Sequence, residues 1–79
     1  MMIIRGTGFE NNLLRLRKAS GLSQYELVAK MQLLGSGMSR STYAKIERGD
    51  RNIKVTDIVA LHKIYNVDFS EFFLGIGTL

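Results

Sequence analysis

Apolar residues recur along most of the chain at the spacing of buried helix faces. Phe9, Leu13 and Leu16 occupy positions i, i+4 and i+7, which places them on one side of an α-helix. Gly8 and Gly21 flank this stretch, and glycine commonly closes a helix because it adopts left-handed backbone angles without strain. The pattern therefore predicts a first helix between the two glycines.

The second predicted helix has an explicit start signal. Ser23 and Glu26 have the spacing of a capping box, in which each side chain accepts a hydrogen bond from the other residue's backbone N–H group. Helix two should therefore begin at Gln24 and end at the glycine-rich turn of residues 35–37. Its buried face is predicted to consist of Leu27, Val28, Met31 and Leu34.

The third predicted helix is short and covers residues 40–48. Ser39 has the N-cap position, Gly49 closes the C-terminus, and Tyr43 and Ile46 form the inner face. Two short capped helices joined by a turn are typical of a helix-turn-helix motif, which places its second helix in the major groove of DNA. Residues 23–49 are therefore a candidate helix-turn-helix.

Two more helices are predicted after a loop at residues 50–52. The fourth ends at Asn66, and the fifth begins with a second capping box formed by Asp68 and Glu71. The apolar positions that support these helices are Val55, Ile58, Leu61, Tyr65, Val67 and Phe72. No strand pattern is found, so the predicted fold class is all-α, with five helices in one compact domain over residues 1–79. The short apolar tails, residues 1–8 and 75–79, are expected to pack on the core or across a dimer.

The composition narrows the class of protein. A chain of 79 residues makes one small domain and leaves no room for a separate catalytic lobe. Cysteine is absent, which excludes disulfides and thiolate metal sites, and no apolar run approaches the ~20 residues that span a membrane. The first eight residues are too short and too weakly charged for a secretory signal. We expect a cytoplasmic protein with no membrane partner.

Charge is distributed unevenly along the chain. Residues 1–54 hold ten Lys or Arg against four acidic residues, whereas residues 55–79 hold one Lys against three acidic residues. A basic face is typical of proteins that bind nucleic acid, but a solvated basic surface without a partner is about as common for so small an excess. Charge alone leaves both interpretations open.

The sequence offers no catalytic constellation. His62 is the only histidine, and no second histidine or carboxylate cluster lies at metal-ligand spacing. We expect His62 to be a surface residue. No Ser-His-Asp arrangement, close carboxylate pair or phosphate-binding loop can be assembled from the other residues. The chain is therefore not expected to be an enzyme, and no metal or cofactor is expected.

Two segments carry a family resemblance. GLSQYELVAKM followed by SRSTYAKIERGDRN resembles the Cro and phage-repressor helix-turn-helix family, often called the XRE family, over residues 10–74. The resemblance implies a lambda-repressor-like DNA-binding domain. The connection at residues 30–38 looks about four residues longer than is usual in the family, which is roughly one helical turn. We expect helix two to be longer by that turn, with residues 32–37 bulging into solvent.

The outer face of helix three is predicted to read DNA bases. Arg40, Ser41 and Lys45 are polar, face away from the inner residues of the helix, and match the family's base-reading positions. Arg and Lys can donate to guanine O6 and N7, and Ser can donate or accept. The alternative is that Arg40 and Lys45 contact only phosphates or water.

A second set of residues is predicted to bind DNA phosphates. Gln24 lies in the first turn of helix two, where free N–H groups and the helix dipole attract an anion, and it matches a phosphate-binding glutamine of the family. The remaining candidates lie on or just after helix three: Thr42, Arg48, Arg51 and Asn52. Helix capping is the alternative for Thr42, and simple surface placement is the alternative for the other three.

One further pair is predicted from the resemblance alone. The family places an Arg late in helix one beside a Glu near the end of helix three, and here these residues are Arg17 and Glu47. The resemblance implies a partly buried ion pair with a structural role.

The expected function is that of a sequence-specific transcriptional regulator, acting as a repressor that occludes a palindromic operator on double-stranded DNA. A homodimer is expected, because two-fold dimers read two half-sites on one face of the duplex. The expected dimer contact is formed by Phe69, Phe72, Phe73 and Ile76. Two alternatives remain open: the antitoxin of a toxin-antitoxin pair, and a protein-interaction module that bridges transcription factors without reading DNA.

Overall fold

The computed structural model describes residues 2–3 and 8–76. Its elements in chain order are β1 (Met2–Ile3), α1 (Phe9–Ser20), α2 (Gln24–Leu33), α3 (Arg40–Glu47), β2 (Ile53–Lys54), α4 (Val55–Tyr65) and a 3-10 helix (Phe69–Phe73). The predicted helical fold is confirmed, with four α-helices and a 3-10 helix where the fifth helix was expected. Of the predicted apolar tails, residues 1, 4–7 and 77–79 lie outside the described part of the chain.

Local signals set the starts of α2 and α3. The Ser23 hydroxyl accepts a hydrogen bond from the Glu26 N–H at 3.1 Å, and the Glu26 carboxylate accepts one from the Ser23 N–H at 3.0 Å. The backbone N–H of Ser23 also lowers the pKa of Glu26. At the start of α3 the Ser39 hydroxyl accepts from the Thr42 N–H at 3.1 Å. Both predicted helix starts are therefore confirmed, because short-range hydrogen bonds fix them.

The last helix differs from its prediction. Asp68 caps it by accepting from the Ser70 N–H at 3.2 Å, rather than forming a capping box with Glu71. Glu71 instead contacts α1, where the Arg15 guanidinium lies 3.4 Å from its carboxylate and donates to its carbonyl oxygen at 2.8 Å. The five residues form one tight 3-10 segment, a geometry that is common in short helical pieces.

A small sheet was not predicted by the sequence pattern. β1 pairs antiparallel with β2, with Met2 opposite Lys54 and Ile3 opposite Ile53. Strands of two residues are too short to show the alternation of apolar and polar positions by which strands are recognised. The pairing holds the start of the chain against the loop that follows α3.

One hydrophobic core joins the helices. Its buried residues include members of every helix: Phe9, Leu13, Leu16, Leu27, Val28, Met31, Met38, Tyr43, Ile46, Ile53, Ile58, Leu61 and Phe72. Leu34, predicted on the inner face of helix two, is 51% exposed. That prediction was wrong because α2 ends at Leu33, so the next residue no longer follows the helical phase.

The connection between α2 and α3 projects into solvent over most of its length. Leu33 is 86% exposed, and of residues 32–37 only Ser36 is half-buried. The Ser36 hydroxyl donates to the Asp57 carboxylate at 2.9 Å, and the Gln32 amide donates to the Met38 carbonyl at 2.8 Å. These two hydrogen bonds attach the connection to α4 and to the start of α3.

Asn12 attaches the C-terminal turn to α1. Its side chain is buried and its Nδ2 donates to the carbonyl oxygens of Phe72 and Leu74, both at 3.0 Å. Phe72 is fully buried, so it is a core residue and was wrongly predicted as part of the dimer contact. Phe69 and Phe73 remain partly exposed beside it.

His62 also has a structural position. Its ring is half-buried, Nδ1 lies 2.6 Å from the Val67 carbonyl oxygen, and the ring stacks on Phe69 at 3.9 Å between centroids. A carbonyl oxygen only accepts, so Nδ1 carries the donated proton. The expectation of an ordinary surface histidine was wrong, since the turn after α4 folds back over the ring.

Candidate nucleic-acid interface

The two faces of α3 have opposite character. Tyr43 and Ile46 are buried in the core, and they fix the rotation of the helix. Arg40, Ser41 and Lys45 are exposed on the opposite side. Within residues 8–76 no other side chain forms a hydrogen bond or ion pair with these three residues. Their donors are therefore available to a ligand along one exposed ridge.

Gln24 is the first residue of α2, and a hydrogen bond holds its side chain in place. Its Nε2 donates to Glu47 Oε1 at 3.2 Å, and the residue is half-buried. The backbone N–H groups in the first turn of a helix have no partner within the helix. Here the Glu26 N–H is taken by the Ser23 hydroxyl. The N–H groups of Gln24 and Tyr25 stay at the positive end of the helix dipole.

Three of the four remaining phosphate candidates lie together. Thr42, Arg51 and Asn52 line one cleft of about 400 Å³ between the α2–α3 connection and the start of α4. The Thr42 hydroxyl also accepts a hydrogen bond from the Ser39 hydroxyl at 3.0 Å, in keeping with a capping role. Arg48 does not line the cleft and lies 3.2 Å from the exposed carboxylate of Asp50.

Arg17 and Glu47 form a two-pronged ion pair. Arg17 Nε donates to Glu47 Oε2 at 2.9 Å and Nη2 donates to Oε1 at 2.7 Å, with side-chain exposures of 14% and 6%. The hydrogen bond with Glu47 raises the pKa of Arg17. Burial favours a higher pKa for Glu47, but the hydrogen bonds from Arg17 and Gln24 outweigh it and the pKa is lowered. Both groups are therefore charged at neutral pH.

A buried tyrosine, Tyr43, and a partly buried one, Tyr65, lie close to this ion pair. Burial raises the pKa of Tyr43 and of Tyr65, so both stay neutral. Their hydroxyls make no well-formed hydrogen bond within the described residues. Tyr43 is fully buried, and its phenol group lies close to the carboxylate of Glu47. Burial limits water access to the ion pair and strengthens its attraction.

Comparison with known proteins decides the family. A family profile described as helix-turn-helix matches residues 13–72, which is most of the chain. The chain belongs to the XRE-type helix-turn-helix family. It is a DNA-binding transcriptional regulator, as the sequence predicted.

A solved structure resembles this regulator over most of its length. The restriction-modification controller protein C.AhdI from Aeromonas hydrophila is 33% identical, with a TM-score of 0.71 over 85% of this chain and 94% of that chain. A comparison with curated proteins gives no match. No helix in the described part of this helix-turn-helix regulator is long and apolar enough to cross a membrane.

The cleft contains polar residues that the sequence analysis missed. Lys54, Thr56 and Asp57 line it together with Arg51 and Asn52. The sequence carries only a weak signal for these residues. Lys54 follows Asn52 by two residues, and no side chain caps the start of α4. Among the described residues no three His, Asp or Glu side chains are close enough to hold a metal ion. In this regulator the basic, amide and hydroxyl groups of the site can donate hydrogen bonds to an anionic polymer, whereas the Asp57 carboxylate accepts one from Ser36.

Proposed function

We propose that this regulator binds operator DNA with α3 in the major groove, and that Arg40, Ser41 and Lys45 read base edges there. The observation that carries the proposal is the contrast between the two faces of α3: its inner residues are buried and its outer polar residues have no partner in the described protein. An Arg and a Lys on such a ridge can each donate to guanine, and the Arg can do so with two hydrogen bonds.

Phosphate contacts on either side of the ridge complete the proposed docking. Gln24 and the first turn of α2 bind the backbone on one side, while Thr42, Arg51 and Asn52 bind it on the other side, with Arg48 adding a contact at the end of α3. Such contacts fix the position of a protein on DNA without reading its sequence. The basic first two-thirds of the chain supports this proposal.

The proposed regulator acts as a homodimer that represses transcription by occluding a palindromic operator. The longest dimension of the domain is 37 Å, and half-sites are spaced ~34 to 36 Å apart. The size of the domain is therefore compatible with one copy on each half-site. The proposed dimer contact is the apolar surface formed by the exposed residues Phe69, Phe73 and Leu74 and the half-buried Ile76. Because the proposed regulator acts on operator DNA, its proposed location is the cytoplasm.

A second candidate is more specific about the regulated genes. C.AhdI is a restriction-modification controller protein, and its likeness at 33% identity covers 85% of this chain and 94% of that chain. The second proposal is therefore that this protein controls genes of a restriction-modification system. Measuring expression of such genes beside its operator, with and without the protein, tests the assignment.

The main test is selection of randomised duplex DNA by the purified protein at two salt concentrations. Non-specific binding to DNA fades steeply as salt rises. The expected result is an enriched inverted repeat that survives higher salt and is lost in the double variant Arg40→Ala, Lys45→Ala. Lys63→Ala, an exposed substitution on α4, is the matched control and should select the same repeat. Absence of any enriched sequence would contradict the proposal and favour a protein-bridging role.

A further inference from the structure

We propose that Glu47 is a positioning residue for DNA binding: it holds the Gln24 amide in the orientation that contacts a phosphate. This inference rests on the proposed function, since it concerns the same DNA site. It assigns to the Arg17–Glu47 pair a role in DNA affinity that is separate from its role in stability. Glu47 touches the protein's own side chains and not the DNA.

The contacts place three helices at one carboxylate. Glu47 is the last residue of α3, Gln24 is the first residue of α2, and Arg17 lies in the last turn of α1. Glu47 Oε1 accepts from Arg17 Nη2 at 2.7 Å and from Gln24 Nε2 at 3.2 Å, while Oε2 accepts from Arg17 Nε at 2.9 Å. Arg17 Nη1 donates to the Leu22 carbonyl oxygen at 3.0 Å. The turn before α2 is thus tied to the same group.

The glutamine amide has two N–H donors and one oxygen acceptor. The hydrogen bond to Glu47 uses one donor of Gln24. The second donor remains for a phosphate at the start of α2, beside the free backbone N–H groups of that turn. A glutamine side chain loses rotamer freedom when it is immobilised, and ordering it before binding removes that cost from the association step.

The electrostatics explain why a carboxylate can serve here. An uncompensated carboxylate one hydrogen bond away from a phosphate-binding amide would repel DNA. The guanidinium of Arg17 compensates this charge, with two parallel hydrogen bonds and only 14% of its side chain exposed. The Glu47–Gln24 bond also links the phosphate contact to α3, which carries the base-reading residues. The orientations of the recognition helix and of the phosphate-binding amide are therefore fixed together.

A double-mutant cycle tests the proposal, using the operator found by selection. Affinity is measured for the wild type, Gln24→Ala, Glu47→Gln and the double variant, each shown to be folded by circular dichroism at the binding temperature. Loss of a hydrogen bond to a charged group corresponds to roughly tenfold in affinity, and Gln24→Ala should weaken the wild type by that factor. In the Glu47→Gln background the same change should cost about twofold or less, because the amide is no longer held.

A purely structural Glu47 predicts equal factors in both backgrounds, and that result would overturn the proposal. Arg51→Ala is the matched control, since it removes a proposed phosphate contact without touching Glu47 and should cost the same in both backgrounds. If Gln24→Ala leaves wild-type affinity unchanged, the inference is wrong while operator binding stands. If the wild type selects no operator, the proposed function itself fails.

A measurement on the unmodified protein covers the case in which Glu47→Gln does not fold. Side-chain amide order parameters from NMR should show Gln24 as rigid as the helix backbone in the absence of DNA. Asn11, an exposed amide on α1, is the flexible reference. A Gln24 amide as mobile as that of Asn11 would contradict the proposal.

Discussion

Replacing Glu47 with Ala should destabilise the fold strongly, although the residue lies at the edge of the DNA site. The Glu47 carboxylate accepts three hydrogen bonds, and its side chain is only 6% exposed. Removing it leaves Arg17 as a nearly buried cation with one remaining hydrogen bond, to the Leu22 carbonyl. Breaking one side of a buried pair costs about 3 to 5 kcal/mol. We expect the lower end, about 3 kcal/mol, because Arg17 keeps that bond and some exposure to water.

Urea unfolding followed by circular dichroism measures this loss directly. A domain of this size loses ~4 to 8 °C of melting temperature for each kcal/mol, so heating should show a fall of roughly 12 to 24 °C. Glu71→Ala is the control: it breaks the exposed pair with Arg15, whose side chains are 44% and 38% exposed, and should cost less than about 1 kcal/mol. A Glu47→Ala midpoint equal to that of Glu71→Ala would refute the reasoning.

Three other predictions follow from the same contacts. The pKa of Glu47 is lowered in the folded protein. The resulting contribution to stability is fully present above the ordinary carboxyl pKa of about 4.3 and is lost as pH falls through the lower pKa of the folded state. Acid unfolding should therefore be steeper in the wild type than in Glu47→Gln. Asn12→Ala should cost about 1 to 3 kcal/mol in chemical unfolding, because it removes the donor to the buried carbonyl of Phe72 and to the partly buried carbonyl of Leu74, and an unchanged midpoint would exclude that role. Arg40→Ala should relax base preference at one operator position, whereas Arg51→Ala should weaken all sequences alike and lower the salt slope of binding by ~1; equal effects of the two variants on preference would contradict the assignment.

The parts of the fold that the sequence predicted are those set by neighbours in the chain. The caps at Ser23 and Ser39 depend on backbone N–H groups three residues away, so their side chains alone indicate where α2 and α3 begin. The inner residues of α3 follow from helical spacing, and the exposed ridge follows from them. The predicted positions of Arg40, Ser41 and Lys45 needed no knowledge of the rest of the molecule.

The parts that were missed depend on contacts between distant segments. Asn12 is polar on an inner helix face because its partners are carbonyl groups about sixty residues away, at Phe72 and Leu74. Phe72 enters the core because the 3-10 helix folds back onto α1, which no local periodicity indicates. The hydrogen bond between Gln24 and Glu47 likewise joins the start of α2 to the end of α3. Which atoms of the predicted site contact DNA stays a prediction for the same reason, since DNA is the distant partner.

The pairing of β1 with β2 has a practical consequence for experiments on this protein. Because Met2 pairs with Lys54 in an antiparallel register, any residues attached upstream of Met2 would emerge beside Val55, next to the cleft residues Lys54 and Thr56. An affinity tag there would lie close to the proposed phosphate contacts, and a histidine-rich tag would carry positive charge at mildly acidic pH. Affinity and mass measurements should therefore use protein from which tags have been removed, or compare two forms of the protein tagged at opposite ends.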